Sequence, residues 1–126
     1  MIMKNVLSVV VLFGSFSAFA GDVQVLKARA CFTDVSTQIS IGLSQAAHAS
    51  KPGSKAEARF QKELRALSDK IEMVMVSETG CNEGSETQAE ADDCIVENYV
   101  VATKIMAKKY KVFDVVKSSE ACKGLL

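Results

Sequence analysis

The chain has 126 residues, of which 48% are hydrophobic and 24% charged, and 15 acidic and 15 basic side chains give a formal net charge of zero. A balanced charge argues against a nucleic-acid partner, which requires a basic surface. The length suits a single domain, and no segment after residue 20 is apolar enough to span a bilayer.

The N-terminus has the three parts of a secretory signal peptide. Lys4 supplies a positive charge, residues 6–13 form an apolar run, and Ala18-Phe19-Ala20 is a small-x-small cleavage site. The apolar run is shorter than the ~20 residues that a membrane-spanning helix needs. We therefore predict a signal peptide at residues 1–20 and an exported domain at residues 21–126.

The exported domain contains four cysteines, Cys31, Cys81, Cys94 and Cys122. An even number of cysteines in a short exported chain predicts two disulfides, and the wide spacing argues against zinc or a C-x-x-C redox pair. Cys81 and Cys94 flank one interhelical connection, which favours the pairs 81–94 and 31–122. The alternative that joins Cys31 to Cys94 and Cys81 to Cys122 remains open.

The first predicted helix spans about residues 22–49. Its apolar side chains recur at steps of three and four, which places them on one helix face. They are Ala28, Phe32, Val35, Ile39, Leu43 and Ala46. Lys51-Pro52-Gly53 ends this helix, because proline disfavours a helical conformation in the residue before it.

The second predicted helix begins at a capping box, Ser54 to Glu57, and ends near Ser77, before Thr79-Gly80. Its apolar stripe consists of Phe60, Leu64, Leu67, Ile71 and Val74.

The third predicted helix begins at another capping box, Thr87 to Glu90. Val101 and Ile105 widen its apolar face, so we expect it to be the central helix. The stripe itself consists of Ile95, Tyr99, Ala102, Met106, Tyr110 and Phe113. A short helix is predicted around residues 119–123.

These elements predict an all-α fold: a small antiparallel bundle of three main helices plus a short C-terminal helix, stapled by two disulfides.

The sequence offers no set of catalytic side chains, and we expect neither an enzyme nor a cofactor or metal site. The single histidine, His48, is typical of a helix C-terminus, and no phosphate-binding loop or HExxH motif is present. Asp92 and Asp93 form a carboxylate pair, but their position at a helix N-terminus explains them without catalysis.

The most unusual segment is acidic. Residues 71–103 contain eight acids and no base, and residues 104–126 contain six lysines and two acids. We predict that the stretch between Cys81 and Cys94 is a preorganised acidic loop that binds a partner. The candidate contact residues are Glu78, Glu83, Glu86, Glu90, Asp92 and Asp93, with Gln38, Ser40 and Gln45 as a weaker set.

The run ARACFTDVSTQISIGLSQAAHAS, the chain length and the helix pattern resemble the periplasmic immunity proteins of type VI secretion systems. The chain is most similar to those that neutralise the lysozyme-like domain of a VgrG spike effector. The resemblance implies a periplasmic homodimer that inserts side chains into the cleft of a peptidoglycan hydrolase.

Two other functions remain open. One is a ligand-binding or chaperone-like periplasmic protein with an apolar groove lined by Met73, Met75 and Met106. The other is a structural protein of the cell envelope.

Overall fold

The protein folds as a helical bundle, seen here in a computed structural model that describes the backbone of residues 8–126 and the side chains of residues 22–126. The predicted all-α class is confirmed, with three main helices, a short C-terminal helix and no strand in this part of the chain. The elements are α1 (Ser8–Ala49), α2 (Lys55–Gly84), α3 (Gln88–Tyr110), α4 (Phe113–Ser118) and a 3-10 helix (Glu120–Cys122).

The predicted signal peptide lies only partly within the described residues. Residues 1–7 lie outside them, and residues 8–20 continue α1 as helix. Cleavage after Ala20 therefore stays a prediction. Among the described residues, no helix combines the length and apolar character needed to cross a membrane.

The core forms where the apolar faces of the three long helices meet. Phe32 of α1 packs against Tyr99 of α3, with ring centroids 5.2 Å apart, and Leu67 and Val74 of α2 close the third side. The prediction that the third helix is central was wrong, because α1 is the helix that contacts all the other elements. The surface of α1 must therefore pack against two long helices and the C-terminal segment at once.

Two side-chain caps start the second and third helices, as predicted. Ser54 accepts a hydrogen bond from the Glu57 backbone N–H at 3.2 Å, while the Glu57 carboxylate accepts one from Gly53 rather than from Ser54. At α3, Thr87 and Glu90 form the complete reciprocal capping box. These local bonds satisfy backbone N–H groups that the helix itself leaves unpaired.

α2 is longer than the sequence pattern indicated. It continues past Ser77 through Gly80 to Gly84, so the connection to α3 is only residues 85–87. Glycine within a helix costs about 1 kcal/mol relative to alanine. Burial of Cys81 in the core, where it bonds to Cys94, offsets that cost. The predicted acidic loop is therefore two helix ends joined by a short turn.

Three apolar residues assigned to the third helix's core face lie elsewhere. Lys111 adopts a left-handed backbone conformation, with φ 56°, and ends α3 at Tyr110. Phe113 consequently starts α4 and is exposed, and Val101 and Ile105 are about half exposed. The remaining stripe of α3 is already wide enough to fill the core.

The favoured disulfide pairing is confirmed. Cys31–Cys122 ties α1 to the C-terminal 3-10 helix across 91 residues of sequence, and Cys81–Cys94 ties the end of α2 to the start of α3 across 13. Two disulfides indicate a non-reducing compartment.

We expect the long-range disulfide to stabilise the fold more than the local one. In the chain-entropy model, removing it in the Cys31→Ala/Cys122→Ala variant lowers the free energy of unfolding by about 4–5 kcal/mol. Removing the disulfide that closes the shorter loop, in Cys81→Ala/Cys94→Ala, lowers the free energy of unfolding by about 3 kcal/mol. Urea unfolding of both variants beside the wild type measures the difference. A larger loss in the second variant contradicts this ordering.

Candidate functional site

Four exposed carboxylates gather where α2 meets α3, and we call this surface the acidic end. Glu83 lies in the last turn of α2, Glu86 in the connection, and Glu90 and Asp93 in the first turns of α3. No basic residue occurs between positions 71 and 103 to neutralise them. The acidic end is therefore an electronegative corner of the bundle.

The backbone beneath the acidic end is held in place. The Cys81–Cys94 disulfide clamps both helix ends together. The Glu90 carboxylate accepts hydrogen bonds from the backbone N–H groups of Glu86, at 3.0 Å, and Thr87, at 3.2 Å. Negative charge at a helix N-terminus is also favourable, by about 0.3–1 kcal/mol per exposed group. A partner thus meets carboxylates on an already ordered backbone.

Two of the six predicted contact residues, Glu78 and Asp92, are not exposed. Asp92 is only 5% exposed, and its Oδ1 accepts a hydrogen bond from Gln88 Nε2 at 2.8 Å. Glu78 points between the helices rather than outward. The structure therefore brings together Glu83, Glu86, Glu90 and Asp93 on the surface, and separates Glu78 and Asp92 from them.

Glu78 is the carboxylate that joins all three long helices. Its Oε1 accepts a hydrogen bond from Arg29 Nη2 of α1 at 2.5 Å, and its Oε2 accepts one from the Tyr99 hydroxyl of α3. Burial raises the pKa of Glu78, but the hydrogen bonds from Arg29 and Tyr99 together lower it by more, so the net pKa is lowered. Burial, followed by the Glu78 bond, raises the pKa of Tyr99.

An apolar groove between α2 and α3 is the second candidate surface. Its cavity of about 330 Å³ is lined by Met73, Val101 and Ile105, which are 69%, 47% and 50% exposed. Lys70 lies beside Ile105 at one end. Glu97 lies at the other end, where Asn98 donates a hydrogen bond to Ser77. We call this feature the α2–α3 groove.

Sequence reasoning missed Val101 and Ile105 as groove residues because it assigned them to the core. The available signal was that Ile95, Tyr99, Ala102 and Met106 already supply a complete stripe. Of the three methionines predicted to line an apolar groove, only Met73 does. Met75 is exposed and does not line the groove, while Met106 is buried in the core.

The weaker set of predicted contacts lies on another helix. Gln38 and Gln45 are exposed on α1, Ser40 is half-buried, and none of the three belongs to the acidic end. Across the described residues, no group of three metal-ligating side chains is close enough together to hold an ion.

Comparisons with protein-family models, curated proteins and solved structures found no match for this chain. The resemblance to immunity proteins accordingly stays a prediction.

We expect Glu78→Gln to lower the free energy of unfolding by about 1–2 kcal/mol at pH 7, because it removes the charge that two partly buried donors satisfy. Chemical denaturation measures the change. Glu83→Gln is the matched control, since Glu83 is exposed, and we expect a change within about 0.5 kcal/mol.

The loss in Glu78→Gln depends on pH with a defined sign. The folded-state pKa of Glu78 lies below its ordinary value of 4.5, so its charged form stabilises the fold above that value. The contribution disappears as the pH falls through the folded-state pKa. The stability difference between wild type and Glu78→Gln therefore shrinks on acidification. A difference that is constant from neutral to strongly acidic pH contradicts this role.

Proposed function

We propose that this chain is a periplasmic immunity protein that binds a type VI secreted peptidoglycan hydrolase and occludes its muramidase site. The observation that carries the proposal is the acidic end, which presents Glu83, Glu86, Glu90 and Asp93 on a backbone ordered by a disulfide and a capping box. In this role the protein protects its producer from intoxication by its own or a sibling cell's effector.

Electrostatics supports an enzyme as the partner. Enzymes that act on anionic wall polymers carry basic grooves for their substrate, and an acidic protrusion complements such a groove. Complementary charge accelerates association and excludes partners of the wrong sign. The ordered backbone of the acidic end also reduces the entropy that binding must remove.

The shifted pKa values of Glu78 and Tyr99 have a structural cause. Strongly perturbed groups often mark active sites. Here Glu78 accepts hydrogen bonds from Arg29 and Tyr99, and these bonds hold the bundle together. They lie away from the exposed carboxylates of the acidic end. These internal contacts account for the shifted pKa values of Glu78 and Tyr99 without a role in binding a substrate.

We further propose that two copies of the chain form a dimer through the α2–α3 groove. The groove has an apolar centre, Lys70 at one end and Glu97 at the other. A two-fold axis lying across the groove reverses the second copy, so Lys70 of each copy faces Glu97 of the other. An isologous interface needs this kind of self-complementary surface.

The first experiment uses the oxidised mature protein as bait for type VI secreted proteins, followed by a peptidoglycan hydrolysis assay of what it binds. We expect stoichiometric inhibition of a bound hydrolase. Glu83→Lys/Glu86→Lys raises the inhibition constant about thirtyfold, because two reversed rim charges that each cost about 1 kcal/mol at low salt together cost about 2 kcal/mol.

Asp69→Lys/Glu72→Lys is the control, because it reverses two exposed carboxylates of α2 outside the acidic end. It leaves the inhibition constant within about twofold of the wild type. Binding of no hydrolase removes the immunity proposal and favours the ligand-binding or structural alternatives. Inhibition that both double variants weaken equally removes the acidic end as the contact surface.

A charge exchange tests the paired copies. We expect the wild type to be dimeric by light scattering after gel filtration, and Lys70→Glu to be monomeric at the same concentration because it places four acids in the interface. Lys70→Glu/Glu97→Lys restores the complementary pairs and the dimer. A monomeric wild type, or a double variant that stays monomeric, contradicts this interface.

A further inference from the structure

A second apolar cleft lies at the opposite end of α3 from the acidic end. It is formed by Lys104 and Ala107 of α3, Phe113, Val116 and Lys117 of α4, and Leu126. Its volume is about 360 Å³, which falls within the range of about 300–1,000 Å³ for small-molecule sites. We call it the C-terminal cleft.

The walls of the C-terminal cleft are apolar and partly open. Ala107 is buried at 1% exposure and forms the base, whereas Phe113 is 51% exposed and Leu126 39% exposed. An aromatic ring left half in water loses the stabilisation that full burial gives. A ligand with an apolar chain removes that exposed surface from water when it enters.

Two lysines border the C-terminal cleft. Lys104 and Lys117 both line it, and neither takes part in an ion pair between described residues. Residues 104–126 contain six lysines and two acids. One of the acids, Glu120, forms an ion pair with Lys123 at 2.9 Å. The cleft therefore combines an apolar interior with two ammonium groups available to an anion.

We propose that the C-terminal cleft binds a single-chain anionic amphiphile, with its acyl chain against Phe113 and Val116 and its carboxylate or phosphate between Lys104 and Lys117. An uncharged alkane leaves the lysines without partners, and a small anion leaves the apolar walls in water. Only a molecule with an apolar chain and an anionic group can cover the apolar walls and pair with the two lysines. This site is independent of the acidic end and of the proposed immunity function.

Calorimetry with octanoate, decanoate and laurate below their micelle-forming concentrations tests the apolar part. Each buried methylene group strengthens binding by about fourfold, so each step of two methylenes increases affinity by roughly fifteenfold until the cleft is full. Dodecyl maltoside, which has the same chain and an uncharged head, binds at least tenfold more weakly than laurate. Equal affinity for the three acids overturns the proposal.

Variants test the location and the charge. Lys104→Gln/Lys117→Gln weakens laurate binding by about tenfold, because it removes both ammonium groups. Lys55→Gln/Lys62→Gln, which neutralises two exposed lysines of α2, leaves the affinity unchanged. Phe113→Asp abolishes binding, and since Phe113 is half exposed the variant folds, as circular dichroism verifies. Laurate binding that survives Phe113→Asp overturns the assignment to this cleft.

A free amphiphile and a membrane surface both offer acyl chains with anionic head groups, and binding to vesicles distinguishes the two. We expect free laurate to bind, and vesicles of phosphatidylglycerol to bind no more strongly to the wild type than to Phe113→Asp. Binding to vesicles without binding to laurate overturns the single-chain ligand. Absence of any laurate binding by the wild type does the same.

Discussion

A single carboxylate, that of Glu78, connects the three long helices, and the geometry of the acidic end depends on it. Glu78 lies on α2 and accepts hydrogen bonds from Arg29 of α1 and Tyr99 of α3. These contacts fix α2 one turn before Cys81, and the helix continues through Gly80 and presents Cys81 to Cys94. The disulfide then brings the two acidic helix ends together. Glu78, whose carboxylate is held between the helices, thus helps to position the exposed carboxylates of the acidic end.

The distribution of charge along α3 gives the molecule two different ends. The acidic end lies at its N-terminus and Lys108 and Lys109 lie in its last turn, an arrangement that the helix macrodipole favours at both places. The partners proposed for the two ends have the opposite sign: a basic enzyme cleft for the acidic end, and an anionic amphiphile for Lys104 and Lys117 of the C-terminal cleft. Between them lies the α2–α3 groove, with one charge of each sign. A bundle with zero net charge can therefore present three surfaces of different chemistry.

Much of the fold was predictable because it follows from local rules. Periodic apolar residues, two N-terminal caps and Pro52-Gly53 located the helices, and the position of Cys81 and Cys94 at one interhelical connection favoured the observed disulfides. The errors occurred where distant contacts override local preference. The burial of Cys81 extends α2 past Gly80, and the partner that draws Glu78 inward, Arg29, is 49 residues away. Which of six acids face the solvent therefore depends on the packing of helices that no local pattern describes.

The central claim is that the exposed carboxylates of the acidic end contact a wall hydrolase. Carbodiimide labelling of carboxylates, read by mass spectrometry with and without the bound enzyme, tests it residue by residue. We expect labelling of Glu83, Glu86 and Asp93 to fall in the complex, while labelling of exposed Asp69 stays the same. Unchanged labelling of the acidic end in a complex that still inhibits the hydrolase contradicts the account.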